Sequence, residues 1–243
     1  IIGCYGVGVD AIDLKHAAKR KVIVTNTPDV LNDDVANMAI ALLLATSREI
    51  VNGDRYVRES KWLKGAMHLT RAIRGRRLGI LGLGRIGEAV AKRAMACGMT
   101  IRYHNRTKKA VPYPYDPDPV TLARNCDVLM VVTPGGPETR NLVGTAVLDA
   151  LGPQGYLVNI ARGSVIDEPV LLRYLQQGKI AGAGLDVFAD EPRVPPEFFT
   201  LDNAVLFPHV ASATVETRKA MGDLQIENLR LHFAGKPVKT RVV

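Results

Sequence analysis

Long apolar runs, cysteines and aromatic residues are all scarce in this chain of 243 residues, and each scarcity closes off a class of protein. The longest unbroken apolar stretch, Met38 to Ala45, falls well short of the roughly 20 residues that a membrane-crossing helix needs. The three cysteines, Cys4, Cys97 and Cys126, are too few for a disulfide framework and are spaced like no zinc site, so no metal is expected. So little cysteine points to a reducing compartment, with the cytoplasm as the default. Aromatic residues make up 5% and do not interleave with the basic clusters as they do in nucleic-acid-binding surfaces. Internal repeats and low-complexity segments are missing as well.

What is present is enough to build a core. Hydrophobic residues reach 47% and charged ones 23%, the balance of a globular protein. Lys and Arg outnumber Asp and Glu by 32 to 24, a net charge of +8. Without aromatic partners, that excess suits small anionic ligands better than nucleic acid. The chain opens on Ile1, inside an apolar run that leads into glycines, so a natural N-terminal segment is expected to precede it.

Short apolar runs alternate with helical patterns through the middle of the chain. Leu78 to Leu81, Ile101 to Tyr103, Asp127 to Val132, Tyr156 to Ile160, Ala183 to Val187 and Ala204 to Phe207 read as six strands. Ile86 to Ala96 reads as a helix closed by Gly98, and Val170 to Gln177 as one capped by Asp167 and ended by Gly178. Continuous apolar strands separated by helices predict an α/β fold, a doubly wound six-stranded parallel sheet of the Rossmann type. Asp33 to Ser47 reads as a helix apolar on nearly every face, and Val215 to Ala234 as a long amphipathic one. Ile1-Ile2, Leu14 to Lys19 and Val22 to Val24 read as strand, helix and strand, too little to fold alone. The predicted division is part of a second domain over 1–32, the sheet domain over 33–212, and a C-terminal helix over 213–243 that returns to the second domain.

Gly82-Leu83-Gly84-Arg85-Ile86-Gly87 is G-x-G-x-x-G, and it lies between a predicted strand and a predicted helix, with another strand beyond. In that setting Gly82 permits the tight turn, Gly84 lets the backbone approach a pyrophosphate, and Gly87 lets helix and strand pack closely. The helix N-terminus, from Leu83 through Gly84, Arg85 and Ile86, then faces the phosphates with free N–H groups and a positive dipole end. A dinucleotide is the expected cofactor. An NAD user carries an acid at the end of the next strand, where it bonds the ribose 2′-hydroxyl. Here Asn105 stands in that place, followed by Arg106, Thr107, Lys108 and Lys109. A neutral residue followed by cations suits a 2′-phosphate, with Arg106 as a charged fork and Thr107 as a hydroxyl donor. NADPH is therefore expected to be preferred to NADH.

Ligands of such sheets sit beyond the carboxyl ends of the strands. After the fourth run comes Asn159-Ile160-Ala161-Arg162-Gly163; after the fifth, Asp186 and then Glu191; after the sixth, Pro208-His209. A cation, two carboxylates and an imidazole thus leave three successive strand ends. The other histidines, His16, His68, His104 and His232, show no such pattern and read as surface or packing residues.

On these stretches, Leu157 to Asp167 (LVNIARGSVID), Gly184 to Pro192 (GLDVFADEP) and Phe207 to Thr214 (FPHVASAT), together with the glycine loop, the chain resembles the D-isomer-specific 2-hydroxyacid dehydrogenases over essentially its whole length. The glyoxylate and hydroxypyruvate reductase branch is the most similar. The resemblance implies that Arg162, Glu191 and His209 form the catalytic set. It implies that Asp186 holds the nicotinamide carboxamide and that Thr133 and Pro134 line the adenosine side. Ile160, Ala161, Arg162, His209 and Ala211 would complete the cofactor site. The loop Gly6-Val7-Gly8 resembles the one whose N–H groups meet the substrate carboxylate, which adds Val7 and Gly8 to Arg162 and His209 as substrate contacts. A flavodoxin-like substrate domain, to which 1–32 would belong, and a homodimer through 33–47 are implied too. Two departures from the family's pattern stand out: the long segment that the family has ahead of the position of Ile1 is not in this sequence, and Asn105-Arg106-Thr107 replaces the NAD users' acid.

The chemistry follows from the groups. Reducing a 2-oxo acid needs a hydride on the carbonyl carbon and a proton on its oxygen. His209 can donate the proton, with Glu191 stabilising its imidazolium, and Arg162 can bind the carboxylate and polarise the carbonyl. Two alternatives remain at this point: an NAD enzyme like D-3-phosphoglycerate dehydrogenase, and a non-catalytic dinucleotide-sensing protein like the family's co-repressor relative. The choice among glyoxylate, hydroxypyruvate, pyruvate and gluconate-type acids stays open.

Overall fold

The computed structural model describes residues 1–243. They form two compact units, one of Ile1–Val35 with Ser212–Val243 and one of Ala36–Ala211. In the first, β1 (Ile2–Gly3) pairs in parallel with β2 (Val24–Thr25). Between them runs α1 (Leu14–Lys19), started by the Asp13 carboxylate, which accepts the His16 N–H at 2.8 Å. The last residues of the chain flank β2: Val242 N–H donates to Val24 C=O and Val24 N–H to Val243 C=O.

The boundary between the units falls within α2 (Asn32–Ser47), which is followed by α3 (Ile50–Arg58). The second unit then alternates strand and helix: β3 (Arg77–Leu81), α4 (Arg85–Ala96), β4 (Thr100–His104), α5 (Pro119–Arg124), β5 (Val128–Val131), α6 (Thr145–Leu151), β6 (Tyr156–Asn159), α7 (Glu168–Gln176), β7 (Gly182–Leu185) and β8 (Ala204–Leu206). The six strands form one parallel sheet in the order β4-β3-β5-β6-β7-β8. They are the six apolar runs read from the sequence. Because β3 lies between β4 and β5, the winding reverses there, which opens a crevice at their carboxyl ends. β5, β6 and β7 are buried at every residue, and that is why they read as unbroken apolar runs. Each fully covered Val, Leu or Met side chain there contributes about 1.5–3 kcal/mol.

Helix ends follow the expected chemistry. Asp167 accepts the Val170 N–H at 3.2 Å to start α7. Gly98 and Gly178, just past α4 and α7, take φ of +79° and +63°, a conformation in which a side chain would be strained.

The last helix departs from expectation, whereas α2, apolar on nearly every face, is covered on only part of its surface. Val35, Ala36, Ala39, Leu42 and Leu43 are buried, Met38, Ile40 and Leu44 are half-buried, and Asn37 and Ala41 are exposed. Gly184 allows its close approach to β7, since an added Cβ would sit 2.8 Å from Thr46 Oγ1 and 3.2 Å from Leu42 Cβ. The final helix, α8 (Val215–Phe233), ends at Phe233, and its apolar residues do not gather on one covered face. Thr217, Met221 and Asn228 are buried while Val215, Ile226 and Phe233 are exposed. Buried Asn228 accepts the N–H groups of Lys239 and Thr240, which ties the C-terminal segment to the helix. No helix is long and apolar enough to cross a membrane.

Candidate active site

The glycine loop joins β3 to α4 with each glycine in a distinct role. Gly82 has φ of +104°, and a Cβ there would meet Thr133 N at 2.7 Å. A Cβ on Gly87 would meet Gly82 O at 2.5 Å, so α4 can lie against the loop only without one. A Cβ on Gly84 would meet nothing within 4 Å: the backbone is bare on the open side. Gly84 is also the N-cap of α4 and brings no side-chain acceptor to the first N–H groups of the helix. Open backbone and uncapped donors at a positive dipole end fit a dinucleotide pyrophosphate.

The turn after β4 is fastened to this loop. Asn105 Oδ1 accepts the Leu83 N–H at 2.6 Å, so the neutral residue at the ribose position also holds the glycine loop. Lys109 Nζ donates to Leu83 C=O at 3.1 Å and pairs with Glu88 on α4. The Lys109 backbone closes on buried Tyr103, whose hydroxyl accepts its N–H at 2.9 Å and donates to its C=O at 3.0 Å. Thr107 is exposed. Arg106 is exposed as well, but it is not an idle fork: its Nη1 lies 2.5 Å from Glu138 Oε2, in the loop beyond β5. Thr133 and Pro134 begin that loop, and Pro134 C=O accepts the Thr139 hydroxyl at 2.7 Å.

The other strand ends converge through backbone contacts. Buried Asn159, the last residue of β6, accepts the Ala161 N–H and donates to Arg162 C=O, both at 3.0 Å, which shapes the turn that carries Ile160, Ala161 and Arg162. Arg162 Nη1 donates to Ala161 C=O at 2.7 Å. A Cβ on Gly163 would overlap the Phe188–Ala189 peptide, so the loops after β6 and β7 touch backbone to backbone. Phe188 N–H donates to Glu191 Oε1 at 2.9 Å, and Glu191 Oε2 lies 2.6 Å from His209 Nδ1. The imidazole is 47% exposed, accessible to a ligand.

His209 holds φ of +55°, the left-handed region that non-glycine residues rarely adopt. Asp186 supports it. The His209 N–H donates to Asp186 C=O at 2.7 Å, and the N–H groups of Val210 and Ala211 donate to its carboxylate at 2.8 and 3.0 Å. Asp186 is fully buried, and burial raises its carboxyl above the usual range against the opposing pull of those two N–H groups. Both oxygens thus engage the His209 turn, a task that the sequence did not disclose. Gly6, Val7 and Gly8 lie in the smaller unit, where Thr27 N–H donates to Gly6 C=O and Asn26 Nδ2 to Val7 C=O, each at 2.9 Å.

The roles of Asn159, Gly163 and Glu138 were not read from the sequence, and Lys109, read there only as one of the cations after Asn105, instead holds Leu83 C=O and Glu88. A polar residue ending an apolar strand and a glycine following an arginine were the available signals for the first two; Glu138 acts on a distant partner and gave none.

Comparison with known proteins agrees with this geometry. Residues 40–211 match the NAD binding domain of the D-isomer specific 2-hydroxyacid dehydrogenases. The chain is 51% identical to the hydroxyphenylpyruvate reductase of Plectranthus scutellarioides over 244 aligned residues, covering all of this chain and 78% of that protein. It is 50% identical to the glyoxylate/hydroxypyruvate reductase A of Arabidopsis thaliana, with the same coverage. The structure of the NADPH-dependent glyoxylate/hydroxypyruvate reductase of Sinorhizobium meliloti, solved with NADP and malonate, superposes with a TM-score of 0.96 at 46% identity, over 99% of this chain and 76% of that one. A glycine loop built for a nicotinamide dinucleotide, and arginine, glutamate and histidine at consecutive strand ends, thus coincide with close likeness along the whole chain, and the chain belongs to the D-isomer-specific 2-hydroxyacid dehydrogenases.

Proposed function

We propose that the chain reduces small 2-oxo acids of the glyoxylate and hydroxypyruvate type to D-2-hydroxy acids, with NADPH preferred to NADH and His209 as the proton donor. The observation that carries this reading is the 2.6 Å contact between His209 Nδ1 and Glu191 Oε2 at the carboxyl edge of the sheet. With Nδ1 committed to Glu191, Nε2 is the ring nitrogen left to deliver a proton to the substrate oxygen. Glu191 is itself held by the Phe188 N–H, so it fixes the ring orientation and faces the positive charge of the imidazolium. Arg162 takes the substrate carboxylate and polarises the neighbouring carbonyl. Gly84, Arg85 and Ile86 bind the pyrophosphate, and Asn105, Arg106 and Thr107 the adenosine ribose with its 2′-phosphate. The bound dihydronicotinamide supplies the hydride. In the oxidative direction His209 Nε2 is the base.

Val7 and Gly8 are assigned to the substrate carboxylate by family likeness. The same likeness supports a homodimer through residues 33–47, and the exposed Ile50, Val51, Val57, Trp62 and Leu63 that follow support an extension of that face. Three cysteines without a disulfide support a cytoplasmic enzyme. The test is a set of initial rates on glyoxylate, hydroxypyruvate, pyruvate and 2-ketogluconate with each cofactor. Turnover of glyoxylate and hydroxypyruvate, faster with NADPH, is expected. No turnover of any of them would refute the reading, and a preference for NADH would remove its cofactor part.

A further inference from the structure

We infer that Glu138 sets how strongly this chain distinguishes NADPH from NADH, because its carboxylate is a built-in counter-ion of Arg106 that a 2′-phosphate must displace. The inference rests on the NADPH-preferring reading above and extends it to a residue outside the ribose turn.

The argument begins with the sheet. β4 and β5 are the two neighbours of β3, so the loops that follow them face each other across the crevice where the winding reverses. Arg106 comes from one loop and Glu138 from the other, and they meet at 2.5 Å. Two neighbours of Arg106 in the β4 turn are committed elsewhere: Asn105 to the Leu83 N–H, Lys109 to Leu83 C=O and Glu88. Arg106 is the guanidinium that this turn offers an incoming anion, beside the exposed ammonium of Lys108, and it already holds one.

Glu138 and a 2′-phosphate would compete for the same fork. The phosphate brings more negative charge and more acceptor oxygens, so it wins, though the gain is reduced by the contact it replaces. The two anions also repel each other while the phosphate enters. A 2′-hydroxyl makes no such demand, and with NADH the Arg106–Glu138 pair stays closed and leaves no unpaired cation beside the ribose. The side chains are 85% and 73% exposed, so the pair is weak enough to exchange. Glu138 thus lowers affinity for the phosphorylated cofactor alone.

Calorimetric titration with 2′,5′-ADP and with 5′-AMP reads the 2′-phosphate without turnover. Glu138→Gln is expected to bind 2′,5′-ADP about two- to fivefold more tightly, the range spanned by an exposed ion pair. Its affinity for 5′-AMP should stay unchanged, and the gain should vanish when Arg106→Ala is added. Unchanged or weaker 2′,5′-ADP binding by Glu138→Gln, while Arg106→Ala still weakens that ligand selectively, overturns the role of Glu138 and leaves the NADPH reading intact. If Arg106→Ala alters the two ligands equally, or neither, the NADPH reading itself fails and this inference fails with it.

Discussion

Asp127 and Asp186 stand at opposite edges of one sheet, and their surroundings act on them in opposite directions. Asp127 precedes β5 at the amino edge. Arg77, the first residue of β3, reaches it with Nη2 on Oδ1 at 2.9 Å and Nε on Oδ2 at 3.2 Å, while the Arg77 N–H adds a bond at 2.8 Å. The side-chain bond from Arg77 holds the Asp127 carboxyl below its usual range. Asp186 follows β7 at the carboxyl edge, where backbone N–H groups are the partners of its side chain and burial pushes its carboxyl up. At the amino edge an opposite charge fastens two strands. At the carboxyl edge a desolvated acid, a histidine with positive φ and a peptide too close for any Cβ persist together. Features this far from relaxation gather where the surrounding structure must hold a reactive group in place.

The sharpest way to break this contrast is to remove the proposed proton donor. His209→Ala is expected to lose about 10² to 10⁴ in kcat, the usual worth of general acid catalysis, while cofactor affinity changes little. Near-normal turnover in that variant would remove His209 from the chemistry. Gly163→Ala tests the backbone contact. The added methyl cannot fit against Phe188, so the loops carrying Arg162 and Glu191 must separate. A displacement of about 1 Å costs on the order of a hundredfold in rate, and the overpacking about 1–3 kcal/mol in stability. Stability falling with kcat intact would mean that the two loops need not be held together.

Glu191→Gln is gentler. Glutamine can still accept the Phe188 N–H and keeps the shape, but it no longer places a charge on His209 Nδ1. Losing a hydrogen bond to a charged group costs about 1.5–3 kcal/mol, roughly ten- to a hundredfold in kcat. An unchanged kcat would reduce Glu191 to a packing residue.

The sequence disclosed these two edges unequally. The strands were legible because burial on both faces leaves no room for polar residues, and their limits shifted by only a residue or two. Helix α3 was not read from the sequence: it buries none of its residues, and its apolar Ile50, Val51 and Val57 stand exposed, so no core face marked it. Arg162, Glu191 and His209 could be found by looking just past strand ends, where the fold places chemistry. Their supports could not. Glu138 reaches Arg106 across 32 residues and Lys109 reaches Glu88 across 21, and such pairs exist only once the sheet order is known. Asp186 was seen, but not its hold on Val210 and Ala211, because a turn around a carboxylate has no pattern in residue types.

The smallest expected effect compares the edges directly, through the dependence of stability on pH in Asp127→Asn and Asp186→Asn. Stability rises with pH wherever the unfolded chain binds more protons than the folded one. With its folded pKa lowered, Asp127 contributes stability that is present above the unfolded value of about 3.9 and is lost as pH falls through the folded value. With its folded pKa raised, Asp186 contributes stability that is complete below about 3.9 and is lost as pH rises through the folded value. The advantage of the native chain over Asp127→Asn should therefore grow between about pH 3 and 7, by about 1 kcal/mol at most, since the Arg77 pair is partly exposed. Its advantage over Asp186→Asn should shrink across the same range. Urea unfolding at several pH values reads both slopes. Slopes of the same sign would show that the two edges do not differ electrostatically, whatever their geometry.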